Sequence, residues 1–133
     1  MIYFVKGKRT MNISGTKEER FVAKIMRNSD TDLDTVAKEI SHATSVSYPD
    51  VVAALKALEI HVASHVMNGS AVKFGTLGSF IPAIRSKAVK NSDDVDADTV
   101  KRITCRFYPS VAFRSQLKSA GLEYKDLTKI KHA

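Results

Sequence analysis

The segment "SVSYPDVVAALKALEIHVASHVMNG", residues 45–69, restricts the possible folds more than any other part of the chain. Ser47 can cap a helix, Pro49 suits its first turn, and Asp50 adds negative charge at the end where helix amides are unpaired. Val46 and Val51 have the spacing of a hydrophobic staple. The predicted helix runs to about Met67 and closes at Asn68-Gly69, where glycine accepts the left-handed conformation. Its apolar residues go most of the way round. Val51, Val52, Leu55, Leu58, Val62 and Val66 fill one broad face, and Ala53, Ala54, Ala57, Ile60 and Ala63 another. One small domain cannot cover such a helix, so the pattern predicts a dimer in which it packs on both its own chain and a partner.

Upstream, "DTDLDTVAKEISHAT" places Leu33, Val36, Ala37 and Ile40 at helical spacing, with Asp32 or Thr31 as cap. The short connection over about 42–47 makes the two helices a helical hairpin. After Gly69 the period changes. "SAVKFGTLGSFIPAI" alternates loosely, with Gly75 and Gly78 at a hairpin turn and Pro82 at a strand edge or kink. A second strand-like run, "TVKRITCRFY", covers 99–108. Pro109 ends it, and Ser110 can cap a short helix, "VAFRSQLKSA", that stops at Gly121. These elements predict an α+β class.

Between the two strand-like runs lies "RSKAVKNSDDVDADTVKR", residues 85–102, with little to bury. A connection this long in a compact domain is often functional. Its flanks are basic, through Arg85, Lys87 and Lys90 on one side and Lys101, Arg102 and Arg106 on the other. Its middle holds Asp93, Asp94, Asp96 and Asp98. The whole chain carries 21 lysines and arginines against 14 acids, a formal charge of +7. That balance favours a polyanion, nucleic acid ahead of an anionic membrane surface. No apolar run approaches the roughly 18 residues of a membrane span, and "MIYFVKGKRT" has no secretory pattern, so a cytoplasmic location is expected. The single cysteine, Cys105, excludes an intrachain disulfide and is expected to be a small packing residue.

In this order, "NGSAVKFGTLGSF", the charged segment and "FYPSVAF" resemble the HU and integration host factor family of bacterial DNA-bending proteins, and among them HU-like proteins of Bacteroidetes type with an N-terminal extension. The resemblance covers roughly residues 30–120. It implies an intertwined dimer whose small sheets form a saddle and whose β-arms reach round double-stranded DNA, with a cytoplasmic, nucleoid-associated role. Carried onto this chain, it places Arg85, Lys87 and Lys90 on the outgoing arm strand and Lys101, Arg102 and Arg106 on the returning one. Ser110 then stands at the start of the last helix, and Arg114 and Lys118 lie along it. Phe80, Leu77, Phe107 and Phe113 match apolar core positions. The chain departs from the family at the arm tip, "KNSDDVDAD", which lacks the wedging proline and holds four acids. It departs again at Val111, where the family often has a cation. The pairing could be with a second copy or with a paralogue.

The implied organisation is a basic N-terminal extension over 1–28, an HU-like domain over 29–121 with its arm at 85–102, and a basic tail over 122–133. In the extension "MIYFVKGKR" alternates like a strand. "ERFVAKIMRN" fits strand or helix: Thr16 and Glu19 have capping-box spacing, whereas similar extended proteins suggest a second short strand. Lys6, Lys8, Arg9, Lys17, Arg20, Lys24 and Arg27 make this region strongly basic.

No catalytic site is expected. His61 and His65 stand four apart on the long helix but lack an HExxH pattern or a third ligand. The "GTLG" glycines do not precede a helix with a Walker lysine, and no serine sits in a nucleophile elbow. Neither a metal, a cofactor nor a small-molecule substrate is therefore anticipated. The competing reading is a protein-interaction or structural module that keeps the dimeric fold with weak or no DNA binding, for which the acidic arm tip speaks.

Overall fold

A computed structural model describes residues 1–128. In chain order its elements are β1 (Ile2–Ile13), β2 (Thr16–Met26), α1 (Leu33–Ala43), α2 (Tyr48–Met67), β3 (Val72–Phe74), β4 (Gly78–Ser86), β5 (Val100–Pro109), α3 (Val111–Lys118) and β6 (Leu122–Tyr124). The class is α+β. The chain divides into two units, Met1–Asp30 with the chain from Leu117 onward, and Thr31–Gln116.

In the first unit β1 and β2 form a long antiparallel hairpin, paired from Tyr3–Met26 to Ile13–Thr16. Ser14 and Gly15 make its two-residue turn, with φ of 53° and 81°. Positive φ at both positions gives the turn the twist that flanking strands need. That turn puts Thr16 and Glu19 on a strand, so their capping-box spacing caps nothing. The strands, 12 and 11 residues long, are not the short ones expected. β6 adds a third strand, parallel to β1 along Ile2–Phe4, giving the order β2-β1-β6. Residues 122–124 of the expected tail thus belong to a sheet, while 129–133 lie outside the described residues.

The second unit begins with the helical hairpin. The Asp32 carboxylate accepts from the Thr35 amide at 2.9 Å to cap α1, and Ser47 Oγ accepts from Asp50 N at 3.4 Å to cap α2. Gly69, at φ 86°, closes α2, and its amide reaches the Val66 carbonyl at 2.9 Å. Asp34 on α1 accepts a short hydrogen bond from the Tyr48 hydroxyl and pairs with Lys38 at 3.2 Å, tying the start of α2 to α1. The Tyr48 bond, then Lys38, holds the Asp34 carboxyl below the usual carboxylate value.

β3, β4 and β5 form an antiparallel sheet in the order β3-β4-β5. Beyond Phe80, β4 has left β3 behind and keeps β5 alone, so Pro82, opposite Cys105, interrupts no ladder toward β3. Gly78 has φ 155°, and a Cβ there would run into the Tyr108 carbonyl oxygen and approach the Phe107 ring at 2.9 Å. Only glycine lets the turn enter β4 so close to β5.

The interior of the second unit is incomplete. Among the described residues Ala37 and Val51 are the buried apolar side chains. Phe80 and Phe113, expected as core, are half-buried, and Leu77 and Phe107 are exposed at 50% and 45%. For Leu77, Phe80 and Phe107 the physical reason is an open groove of about 700 Å³ between α2 and the sheet, which they line with Leu55, Leu58, Val62, Val66 and Phe74 among others.

Two outcomes test these contacts. Gly78→Ala should destabilise the protein by about 2 kcal/mol or more, from strain and overpacking together, read by urea denaturation. Tyr48→Phe should be less stable than the parent at pH 6. Because the folded Asp34 pKa is depressed, the bond's contribution is present above the unfolded value and is lost as pH falls through the folded one. The difference between the two proteins should therefore shrink below about pH 3.8 in acid titrations followed by circular dichroism.

Candidate nucleic-acid interface

Alternation along β4 and β5 gives the sheet of the second unit two unlike faces. Directly paired residues share a face, and successive residues point to opposite ones. One face carries the pairs Phe80–Phe107, Pro82–Cys105 and Ile84–Ile103. Phe80, Phe107 and Cys105 line the groove beside α2, so this is the face toward the helix. Cys105 is exposed there in the single chain. Phe80 makes a tilted ring contact with Phe107 at 5.2 Å and an edge contact with Phe74 at 5.3 Å.

The other face carries Ser79–Tyr108, Ile81–Arg106, Ala83–Thr104 and Arg85–Arg102. Three of the expected cations, Arg85, Arg102 and Arg106, thus share the face turned away from α2, and all three are exposed. Lys73 joins them, because β3 pairs it with Ser79. The sequence reading did not single out Lys73, although Val72 and Phe74 on either side are the period-2 signal that sends it to the opposite face. Among the described residues the ion pairs lie elsewhere, at Lys8–Glu19, Arg20–Glu18, Arg27–Asp30, Lys38–Asp34 and Lys56–Glu59. Among the described residues the four cations of this face have no carboxylate partner.

The arm differs from the extended ribbon expected over 85–102. β4 and β5 stay paired out to Ser86–Val100, with an irregularity after Arg85–Arg102 that leaves Lys101 without a cross-strand partner. Beyond that, 3-10 turns at Ser92–Asp94 and Ala97–Thr99 fold the connection. Asp96 is the cause of the second turn. Its carboxylate accepts from Asp98 N at 3.0 Å and Thr99 N at 3.2 Å, and its carbonyl accepts from the buried Thr99 hydroxyl at 2.7 Å. These local bonds take amides that a longer ladder would need. Lys87, whose amide donates to the Thr99 carbonyl at 2.9 Å, and Lys90 are exposed on this folded connection, off the paired stem.

Ser110 serves the fold. Its hydroxyl donates to the Thr76 carbonyl and accepts from Phe113 N at 3.0 Å, and its amide donates to Leu77 O at 3.0 Å. It fastens the glycine turn to the first turn of α3. Arg114 and Lys118 are exposed one turn apart on α3. His61 and His65 are exposed on α2, and among the described residues no three metal-ligating side chains gather. Nor, among the described residues, is any helix long and apolar enough to cross a membrane.

Residues 2–124 match a family described as an HU domain fused to a wHTH, Ig or glycine-rich motif, HU-HIG. The chain belongs to the HU-HIG family. The fold agrees with that of a crystal structure from Bacteroides vulgatus ATCC 8482, described as a candidate bacterial DNA-binding protein, with a TM-score of 0.66 and 16% identity. The alignment covers 92% of this chain and 47% of that one, so the chain spans about half the length of the solved structure. No curated protein matches it. HU-HIG membership extends through the N-terminal hairpin and β6, since the match takes in both units.

Proposed function

We propose that two copies of the chain pair through α2 and the open apolar groove, and that the pair binds double-stranded DNA with little sequence preference and bends it. The observation that carries this reading is the division of the β3-β4-β5 sheet into an apolar face toward α2 and a face of Lys73, Arg85, Arg102 and Arg106, which have no ion pair among the described residues. A ribbon with free cations on its outer face suits phosphates, whose contacts release counterions and carry little base information. Lys87, Lys90 and Lys101 extend the charge beyond the stem, and Arg114 and Lys118 add to it on α3. The description of the Bacteroides vulgatus neighbour agrees with this partner.

Pairing is supported by energetics. Covering half a dozen leucine, valine and phenylalanine side chains contributes on the order of 10 kcal/mol, comparable to the whole stability of an ordinary domain. A unit whose buried apolar residues are Ala37 and Val51 gains most of its interior from whatever fills the groove. A second copy brings a matching apolar α2. The reading is of a non-enzymatic architectural protein, cytoplasmic and nucleoid-associated, without cofactor or metal.

One observation favours a second reading, a protein-interaction module of the same fold. The tip of the connection holds Asp93, Asp94, Asp96 and Asp98, has no proline to wedge between base pairs, and is folded into turns.

Gel-shift titrations with a straight duplex and a four-way junction distinguish the two. DNA binding should weaken with salt by about 0.9 log unit per contacted phosphate for each log unit of salt, with the junction preferred. The combined Arg85→Ala, Arg102→Ala and Arg106→Ala variant should flatten that slope by about 2.7 for each protomer engaged, and Lys73→Gln by about 0.9. Absence of binding at low salt would leave the interaction module. Val62→Asp, which sets a charge in the groove, should abolish the dimer in sedimentation. A stable, folded single subunit of the parent chain at micromolar concentration would rule out the pairing.

A further inference from the structure

The sheet of the first unit has an open face of unusual make-up. By register, Phe4–Ile25, Lys6–Ala23, Lys8–Phe21, Thr10–Glu19 and Asn12–Lys17 share it, and β6 brings Tyr124 beside Phe4. Three ring contacts confirm that sharing. Phe4 and Tyr124 rings lie 5.6 Å apart, Lys6 Nζ stands 4.8 Å from the Tyr124 ring centre, and Lys8 Nζ stands 5.9 Å from that of Phe21. The face is uncovered: Phe21 is 70% exposed, Ile25 68% and Tyr124 42%. On the opposite face Tyr3, Val5, Gly7, Val22 and Met26 are half-buried.

A phenylalanine 70% exposed in mid-strand leaves a large apolar surface in water. Here it alternates with lysines. Residues 1–28 hold seven cationic side chains and two acidic ones. Glu19 reaches Lys8 at 4.0 Å, with both side chains exposed, whereas Lys6 and Lys17 have no ion pair among the described residues. The two aromatic stations, Phe21 and the Phe4–Tyr124 pair, are four strand residues apart, about 13 Å, with lysines between. An apolar protein surface would gain nothing from those lysines, and an acidic one nothing from the rings. A polymer that alternates flat apolar groups with anions matches both.

We propose that this face binds single-stranded nucleic acid, with an unpaired base stacked on Phe21, another at Tyr124, the intervening phosphates held by Lys6 and Lys8, and Lys17 placed for a phosphate beyond Phe21. Ring stacking is tolerant of base identity, so the surface takes unpaired strands of any sequence. It belongs to a different unit from the cationic face of Lys73 and Arg102 and does not depend on that face binding duplex.

Fluorescence anisotropy of the full chain with labelled oligothymidylate of 12 nucleotides and with a labelled 24-base-pair duplex, in about 50 mM salt, tests it. Phe21→Ala should weaken oligothymidylate binding at least about five-fold, the lower end for losing one stacked base, and leave duplex affinity within about two-fold. Phe21→Leu should lose nearly as much, and Phe21→Tyr should retain binding. The Lys6→Gln, Lys8→Gln pair should weaken it and reduce its salt dependence. Arg102→Ala with Arg106→Ala should leave the single-strand probe unaffected. A single-strand probe that binds and depends on Phe21 supports the inference even if the duplex fails to bind. No binding of the probe, a Phe21→Leu protein that binds like the parent, or a parallel fall in both probes would overturn it. So would a fall in oligomeric mass by light scattering in Phe21→Ala with unchanged probe affinity, which would make the face a contact between copies.

Discussion

The structure of the second unit depends on burying α2. Twenty residues with apolar side chains on most of the circumference cannot stand in water, yet their own chain supplies α1 along one side and a three-stranded sheet along another. What remains is the groove between α2 and the sheet, lined by leucine, valine and phenylalanine. Every local feature around it is placed to hold that arrangement. The caps at Asp32 and Ser47 start the two helices, Gly69 ends the second, and Gly78 lets the next turn enter the sheet close to Tyr108. Ser110 then fixes the same turn to α3 through its amide and hydroxyl.

The demand for apolar cover also orders the charge. Because β4 and β5 are in antiparallel register and one face of the ribbon must meet α2, the arginines at alternate positions are forced to the other face. A slip of one residue in β5 would turn Arg106 toward the groove in place of Cys105 or Phe107, where burying the charge would cost far more than any gain from the exchange. The proposed DNA surface is therefore a consequence of packing, and so is the proposed pairing: one face of the ribbon is concentrated in cations because the other is needed as half an interior. In the first unit the face of Phe21 and Lys8 is exposed, and the same alternation there leaves rings and lysines together on one surface.

Much of this was legible in the residues. The helical hairpin, the left-handed Gly69, the glycine turn before β4, the Ser110 cap and the HU-like order follow from capping chemistry and period, which act over a few residues. The arm was not legible in its shape. Asp96 holds the amides of Asp98 and Thr99 and folds the connection, and acidic residues in a long polar stretch do not reveal whether they will bond to their own backbone. In the N-terminal hairpin the alternation of β1 is legible, whereas the segment that becomes β2 fits strand or helix and the length of neither strand shows. The deciding signal, Ser14-Gly15 as a turn with both φ positive, is short and easily outweighed by the helix-like spacing of Thr16 and Glu19. Lys73 was missed because a three-residue strand gives little alternation to count.

By itself the sequence determined the helical hairpin, the strands on either side of the charged segment and the last helix, that α2 needs cover from more than one side, and that cations crowd the segment after β4. Those properties are local or compositional, and each follows from a few side chains and the backbone beside them. The tertiary structure alone decided that Lys73, Arg85, Arg102 and Arg106 share one face, that β6 closes against β1 from more than a hundred residues away, and that Phe21 and Tyr124 lie on one open surface. Such placements depend on register between strands distant in the chain, which is fixed only when the two faces of a sheet compete for burial.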